Sequence, residues 1–302
     1  MVSINSKHAH ALLLLICINL AFFFFTVRSQ SNPNDISIGI NNEGLFVYVF
    51  SVAVVRVDIP ASNVQTTSLQ NLAGTDHRDS AASSTSSCSG VIPDIRACQS
   101  QGVKVFLSLD GSYSVSQGAQ QFSDYIWNTF LGGQSNSRPF GDVVFDGINF
   151  DMEAGSGGQF WADVATSLKV HSSSSQLQKK LYLSAAVPCL FPADDAHLGG
   201  AGLFDYVWVR FYNNRQCEYG ANAVALLAAW NRWTTQLVNS THIFLGLPAA
   251  PGAARSGYIP PDVLTSTVLP FIKTSPKYAG VMLWDTFYDQ QTGYSAAIKN
   301  SV

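Results

Sequence analysis

The chain has 302 residues, of which 47% are hydrophobic and 12% are charged, and its formal net charge is −3. This composition supports a sizeable hydrophobic core, and it fits one domain of barrel size as well as two domains. Because basic residues are not in excess, the composition argues against nucleic-acid binding.

The N-terminus has the pattern of a signal peptide. Lys7 precedes an apolar run over residues 11–26, and small residues follow near Ser29. This run is short for a membrane span, so residues 1–29 are expected to be cleaved, although an uncleaved signal anchor is the alternative. No second apolar run approaches membrane length. We therefore expect a secreted, extracellular protein with no membrane attachment, with a vacuolar destination left open, and a single domain over residues 30–302.

Short apolar runs then alternate with helix-like segments along the chain. Each run is apolar on both faces, as expected for parallel strands covered by helices. Ile36–Ile40 is a candidate first strand, and a second lies within Phe46–Val57. The clearer strands are Val103–Leu109, Val143–Phe150, Leu181–Val187, Tyr206–Phe211, Ile243–Leu247 and Gly280–Trp284. Eight strands in this pattern predict an α/β fold, either a (β/α)8 barrel or an open doubly wound sheet.

The fourth of these strands carries the most informative motif, the run FDGINFDME over residues 145–153. Because strand side chains alternate between faces, Asn149, Asp151 and Glu153 share one face. When two carboxyls lie close together, the pKa of one is raised, and that group can act as a general acid near neutral pH. On a barrel, Tyr212 and Trp284 would end the sixth and eighth strands at the same mouth, which favours a sugar-binding cleft.

Four cysteines remain once the predicted signal peptide, with Cys17, is removed. Cys88, Cys98, Cys189 and Cys217 allow three pairings in an oxidising compartment. The histidines share no ligand spacing, so we expect no metal site, and nothing indicates a cofactor. Asn239 begins a glycosylation sequon, which is compatible with secretion.

These motifs resemble family 18 of the glycoside hydrolases, and in particular the plant class III, hevamine-like chitinases. The motif of the fourth strand is similar to the family signature DxxDxDxE. The resemblance is strong from about Gly90 to the C-terminus and weak between Asp35 and Ser89. Four further segments carry it: Asp205–Asn214, Trp230–Thr235, Ile243–Pro251 and Gly280–Asp285. It implies a single-domain (β/α)8, or TIM, barrel with irregular first and second strands.

The resemblance also implies a mechanism and a substrate. Glu153 would protonate the glycosidic oxygen, and the N-acetyl carbonyl of the substrate would attack the anomeric carbon. Asp151 and the Tyr212 hydroxyl would hold that acetamido group, while Trp284 and Met282 would contact the sugar. The expected substrate is chitin or N-acetylglucosamine oligomers, and the expected state is a monomer. The resemblance further implies a Cys189–Cys217 disulfide, while Cys88 and Cys98 either pair with each other or remain free.

Three substitutions depart from the family pattern within the predicted cleft. Asn149 replaces an Asp; it can donate a hydrogen bond to Asp151 but cannot take up a proton. Arg210 replaces a Gln on the inward face, and its charge would keep Glu153 ionised. Asp110 replaces a Gly, and it either pairs with Arg210 across the mouth or is an unrelated, solvated substitution. Asn149, Arg210 and Asp110 are assigned to substrate binding.

The segment after the first candidate strand also departs, because residues 41–44 lack the Tyr-Trp-Gly-Gln run that lines the cleft in relatives. Two functional hypotheses therefore remain. The first is a secreted endochitinase, favoured because Asp151, Glu153 and Tyr212 are all retained. The second is a catalytically weak or inactive relative: a chitin-binding lectin, a storage protein or a xylanase-inhibitor-like protein.

Overall fold

The computed structural model describes residues 53–57, 67–72, 92–100, 102–110, 118–136, 138–152, 158–175, 179–190, 202–237 and 241–302. The predicted strand Ile36–Ile40 and the predicted signal peptide lie outside these ranges.

The described strands form one sheet in which parallel neighbours follow one another in chain order, from β3 through to β8. Strand β1 lies parallel to β3, whereas β2 lies antiparallel to β1. The strands are β1 (Ala53–Val57), β2 (Thr67–Leu72), β3 (Phe106–Asp110), β4 (Gly147–Asp151), β5 (Tyr182–Pro188), β6 (Tyr206–Arg210), β7 (His242–Pro248) and β8 (Tyr278–Trp284).

Helices lie between successive parallel strands from β3 to β5 and from β6 to β8, as in a (β/α)8 barrel, and residues 191–201, between β5 and β6, lie outside the described residues. The predicted fold class is therefore confirmed. The helices are α1 (Ile92–Ser100), α2 (Ala119–Phe130), α3 (Gly158–Ser174), α4 (Val224–Gln236), α5 (Pro261–Val263), α6 (Leu269–Ile272), α7 (Thr286–Thr292) and α8 (Tyr294–Ile298), with a π-helical turn over Leu264–Val268. None of the helices in the described ranges has the length and apolarity needed to cross a membrane.

Side chains on alternate strand positions fill the barrel interior. An inner cluster of buried residues contains Phe106, Trp208 and Phe244, from β3, β6 and β7. Gly147 begins β4 beside Phe106, and a Cβ at this glycine would collide with the Phe106 ring. The glycine of the fourth-strand motif is thus required by close packing at the strand's start.

Aromatic and charged side chains lie at the N-terminal ends of the strands. The Tyr182 and Tyr206 rings stack with centroids 5.7 Å apart, and the Lys180 ammonium lies 4.5 Å from the Tyr182 centroid. Lys180 also pairs with Asp205 at 2.8 Å. These contacts stabilise the floor of the barrel and leave the opposite ends of the strands for a site.

His242 lies at this floor, and burial lowers its pKa, partly offset by the charge of Asp205. Because the pKa of His242 is below its unfolded value of about 6.5, the unfolded state binds more protons in acid. We expect the free energy of unfolding to fall as the pH drops below about 6.5, and His242→Asn to remove that contribution. Thermal unfolding of both proteins between pH 8 and pH 5 measures this. Equal slopes of Tm against pH would contradict it.

Candidate active site

The end of β4 places two of the predicted residues on the inward face of the barrel. Asn149 is paired in register with Ser108 on β3, and Asp151 with Asp110. Asn149 is 3% exposed, whereas the Asp151 side chain is 24% exposed at the mouth. Glu153 lies outside the described residues.

A polar layer crosses the barrel interior directly beneath Asp151. The Asn149 amide donates to Ser108 Oγ at 2.8 Å, and Ser184 Oγ donates to Asn149 Oδ1 at 3.2 Å. The sequence suggested that this amide donates to Asp151, but in the structure it donates to Ser108. Asn149 therefore acts as a buried link between β3, β4 and β5, since a side chain so deeply buried needs hydrogen-bond partners.

Arg210, at the end of β6, forms an ion pair with Asp151 across the mouth. Its Nη1 lies 2.5 Å from Asp151 Oδ1, and its Nη2 donates to the Met152 carbonyl oxygen at 2.8 Å. The two side chains are only 13% and 24% exposed, so water screens this attraction less than it would on the surface. The guanidinium thus lies against a carboxylate at the mouth of the barrel.

This contact adds an ion pair that the sequence did not predict. The sequence predicted that the Arg210 charge acts on Glu153 and, as one alternative, that Arg210 pairs with Asp110; both remain predictions. The structure shows Arg210 paired with Asp151. Asp110 lies beside Asp151 in the register of β3 and β4, and its side chain lies outside the described residues.

Two aromatic residues lie at the carboxyl ends of β6 and β8. Tyr212 follows β6 by two residues and is 9% exposed, and Trp284 ends β8 and is half-buried. Met282 shares the Trp284 face of β8 but is only 6% exposed and belongs to the inner cluster, so it packs below the mouth. The structure thus brings Asp151, Arg210, Tyr212 and Trp284 to the carboxyl ends of the strands.

A disulfide ties the loops after β5 and β6. Cys189 and Cys217 are bonded, with Cα atoms 5.8 Å apart, as the resemblance implied. Cys98 is also disulfide-bonded, so it is not a free thiol. Cys88 and the sequon residue Asn239 lie outside the described residues. Among the residues that are described, His, Cys, Asp and Glu form no group of three or more that could hold a metal ion.

Sequence reasoning missed a second layer of residues around Tyr212. Asn213 has a left-handed backbone with φ of 58°, and Glu218 is 4% exposed within the same loop. The pair Asn213-Asn214 was a usable signal, because Asn tolerates the left-handed region better than most residues. Glu218 follows Cys217 in a polar loop, and no pattern there distinguishes it from a solvated acid.

Comparisons with known proteins agree on one family. A sequence profile described as glycosyl hydrolases family 18 matches residues 22–255. The chain is 53% identical over 248 residues to an acidic endochitinase from Beta vulgaris, covering 80% of this chain and 79% of the relative. It is similar to a chitinase structure from Ipomoea carnea, with a TM-score of 0.71, 44% identity and coverage of 82% and 88%. It is also similar to a xylanase and alpha-amylase inhibitor from Scadoxus multiflorus, with a TM-score of 0.68, 34% identity and coverage of 85% and 88%.

Proposed function

The chain belongs to the glycosyl hydrolases of family 18, and on that basis we propose that it is a secreted endochitinase. It hydrolyses the β-1,4 links of N-acetylglucosamine polymers. One structural observation carries this proposal: Asp151 ends β4 on the inward face, at the mouth where Tyr212 follows β6 and Trp284 ends β8. Similarity to curated acidic endochitinases at about half identity supports the same activity.

The chemistry follows from these side chains and the substrate itself. Glu153 gives its proton to the glycosidic oxygen as the bond to the anomeric carbon breaks. The N-acetyl carbonyl oxygen attacks that carbon and forms a cyclic, positively charged intermediate. Water then attacks the same carbon and returns a proton to Glu153, so the product retains its configuration. No protein nucleophile is needed.

Asp151 and Tyr212 act on the acetamido group in this scheme. The Asp151 carboxylate stabilises the positive charge that develops there, and the Tyr212 hydroxyl donates to the carbonyl oxygen. The half-buried face of Trp284 carries the apolar side of the sugar ring. Met282 packs below it. The requirement for an acetamido group sets the substrate class.

The Asn149→Asp variant is expected to raise turnover about threefold. Burial and the nearby Asp151 charge both favour a protonated carboxyl at position 149, and the Ser108 and Ser184 hydroxyls can still pair with it. Asp151 then gains a neighbour that can share a proton. Steady-state kcat on a chitin oligomer measures the effect.

Ser184→Ala is the control for this variant, because it removes a hydrogen bond of Asn149 without adding a titratable group. It should leave kcat close to that of the wild type. An unchanged or lower kcat in Asn149→Asp would show that proton sharing plays no part here.

One contact favours a second candidate function. The Arg210–Asp151 ion pair occupies the carboxylate that the reaction needs, and the chain is 34% identical to a xylanase and alpha-amylase inhibitor. A non-catalytic chitin-binding or inhibitory protein is the alternative. It would bind N-acetylglucosamine oligomers without cleaving them.

Secretion completes the proposal. Residues 1–29 are removed as a signal peptide, and residues 30–302 form the mature barrel domain. The mature protein is an extracellular or vacuolar monomer. Asn239 is its proposed glycosylation site. Mass determination of the protein secreted by plant cells, with and without a glycosidase that removes N-linked glycans, tests the signal-peptide cleavage and the glycosylation.

The activity is tested with two matched oligomers. The purified mature protein should cleave a soluble chitin oligomer and should leave the fully deacetylated oligomer of equal length intact. Binding of the chitin oligomer without cleavage would support the alternative. Cleavage of both oligomers would contradict the role given to the acetamido group.

A further inference from the structure

The backbone around Tyr212 is fixed by the loop that follows β7. Asn213 adopts its left-handed conformation next to Tyr212, and its N–H donates to the Ser256 carbonyl oxygen at 3.2 Å. The Asn213 side chain in turn accepts from the Arg255 N–H at 2.8 Å. Two loops that are about 40 residues apart in sequence are therefore joined at the residue after Tyr212.

The Glu218 carboxylate joins the same two loops a second time. Its Oε2 accepts from the Asn214 N–H at 2.7 Å and from the Ser256 hydroxyl at 2.9 Å. The residue is 4% exposed. A buried carboxylate is costly unless it is hydrogen-bonded, so these two donors are what hold it in place.

Gly257 transmits this restraint directly to Tyr212. It follows Ser256 and has φ of 92°, and a Cβ built on it would lie 2.6 Å from the Tyr212 Cα. The backbone of the β7 loop therefore lies against the backbone of Tyr212 without an intervening side chain. Any movement of Ser256 changes the space in which Tyr212 sits.

We propose that Glu218 is a positioning residue for Tyr212. By holding Asn214 on one side and Ser256 on the other, its carboxylate fixes the direction in which the Tyr212 hydroxyl leaves the strand end. This inference rests on the proposed function, in which that hydroxyl donates to the acetamido carbonyl oxygen. Small displacements of such a donor are costly, because the reaction depends on near-attack geometry.

Three variants give different expectations. Tyr212→Phe removes the donor and should lower kcat about 100-fold. Glu218→Ala leaves Asn214 N–H and Ser256 Oγ without their acceptor and should lower kcat about tenfold. Glu218→Gln keeps an amide oxygen that can accept from the same donors, so its kcat should stay within about threefold of the wild type.

The deciding experiment is a double-mutant cycle between positions 218 and 212. With Tyr212→Phe already in place, Glu218→Ala should lower kcat less than about twofold, because the hydroxyl that it positions is gone. The Kd of the chitin oligomer is measured for the same four proteins, and the effects of the two substitutions on Kd should again be non-additive. A residue with only a structural role would give the full loss in either background.

Asp289, within α7, offers a matched control through its contact with α8. Its carboxylate also accepts from one backbone N–H and one serine hydroxyl, those of Ser295, at 2.7 and 2.6 Å. Asp289→Ala should lower Tm as Glu218→Ala does, while kcat stays at the wild-type value. An equal loss of kcat in the control would overturn the proposal.

The other possible results also support or overturn the positioning role of Glu218. Additive effects in both kcat and Kd, or no rescue by Glu218→Gln, would overturn the positioning role. A wild-type protein that binds but does not cleave the oligomer would refute the endochitinase proposal alone, and the Kd cycle would then decide the role of Glu218. If Glu218→Ala does not fold, Ser256→Ala, which removes one arm of the contact, replaces it in the same cycle.

Discussion

Hydrolysis of a chitin oligomer by the Glu153→Gln variant is expected to fall about 1,000-fold, while the oligomer still binds. Glu153 follows Asp151 by two residues in the sequence, and strand alternation predicts that the two share a face. Gln has nearly the shape of Glu but carries no acidic proton, so the leaving sugar oxygen departs unprotonated. Single-turnover hydrolysis and calorimetric binding, measured on the same preparation, separate the two effects.

The comparison with Asp146 sharpens this test. Asp146 belongs to the same motif but lies at the other end of β4, where it pairs with Lys179 at 3.0 Å. Asp146→Asn should lower Tm and leave kcat per folded molecule unchanged. Turnover near the wild-type value in Glu153→Gln would remove Glu153 from the role of general acid.

Turnover of the Arg210→Gln variant is expected to rise about 10- to 50-fold. The guanidinium neutralises the Asp151 carboxylate at 2.5 Å, and that carboxylate is proposed to stabilise a positively charged intermediate. Two unit charges 4 Å apart interact by about 4 kcal/mol at an effective dielectric constant near 20. Partial exposure of both side chains and rearrangement of the freed carboxylate reduce this figure, which leads to the smaller gain expected in kcat.

Two controls accompany the Arg210→Gln variant. Arg210→Lys keeps the positive charge but loses the planar fork, so its kcat should stay low. Arg232→Gln removes a charge from an exposed position of α4, outside the mouth, and should leave kcat unchanged. A fall in kcat in Arg210→Gln would instead mean that the guanidinium is needed to orient Asp151.

The sequence predicted β3 to β8 because each contains a short apolar run, and β1 lies within the predicted range 46–57. It did not predict β2, whose sequence TSLQNL is largely polar. It placed some strand beginnings less well. The apolar run over 143–150 predicted one strand, but β4 begins at Gly147, because Val143 and Phe145 pack into the core before the strand pairing starts. An apolar pattern reports burial, and burial begins before the ladder of hydrogen bonds does. The antiparallel course of β2 carried no comparable signal.

The sequence predicted the strand face on which several site residues lie, but not the Arg210–Asp151 contact. Strand alternation correctly placed Asn149, Asp151 and Arg210 inside the barrel. The pairing of Arg210 with Asp151 depends on strand stagger: Asp151 is level with Ala186, whereas Arg210 is level with Pro188, two residues farther along β5. The long Arg210 side chain spans that offset to reach Asp151. Register of this kind is set by the packing of the whole barrel, which a single sequence does not display.

The configuration of the first product tests the central claim most directly. The purified mature protein is mixed with a soluble chitin oligomer, and proton NMR follows the anomeric signals before mutarotation equilibrates them. Attack by the substrate's own acetamido group, followed by water, predicts that the β-anomer forms first. Initial release of the α-anomer would contradict the substrate-assisted mechanism, and bound but uncleaved oligomer would contradict the enzymatic function itself.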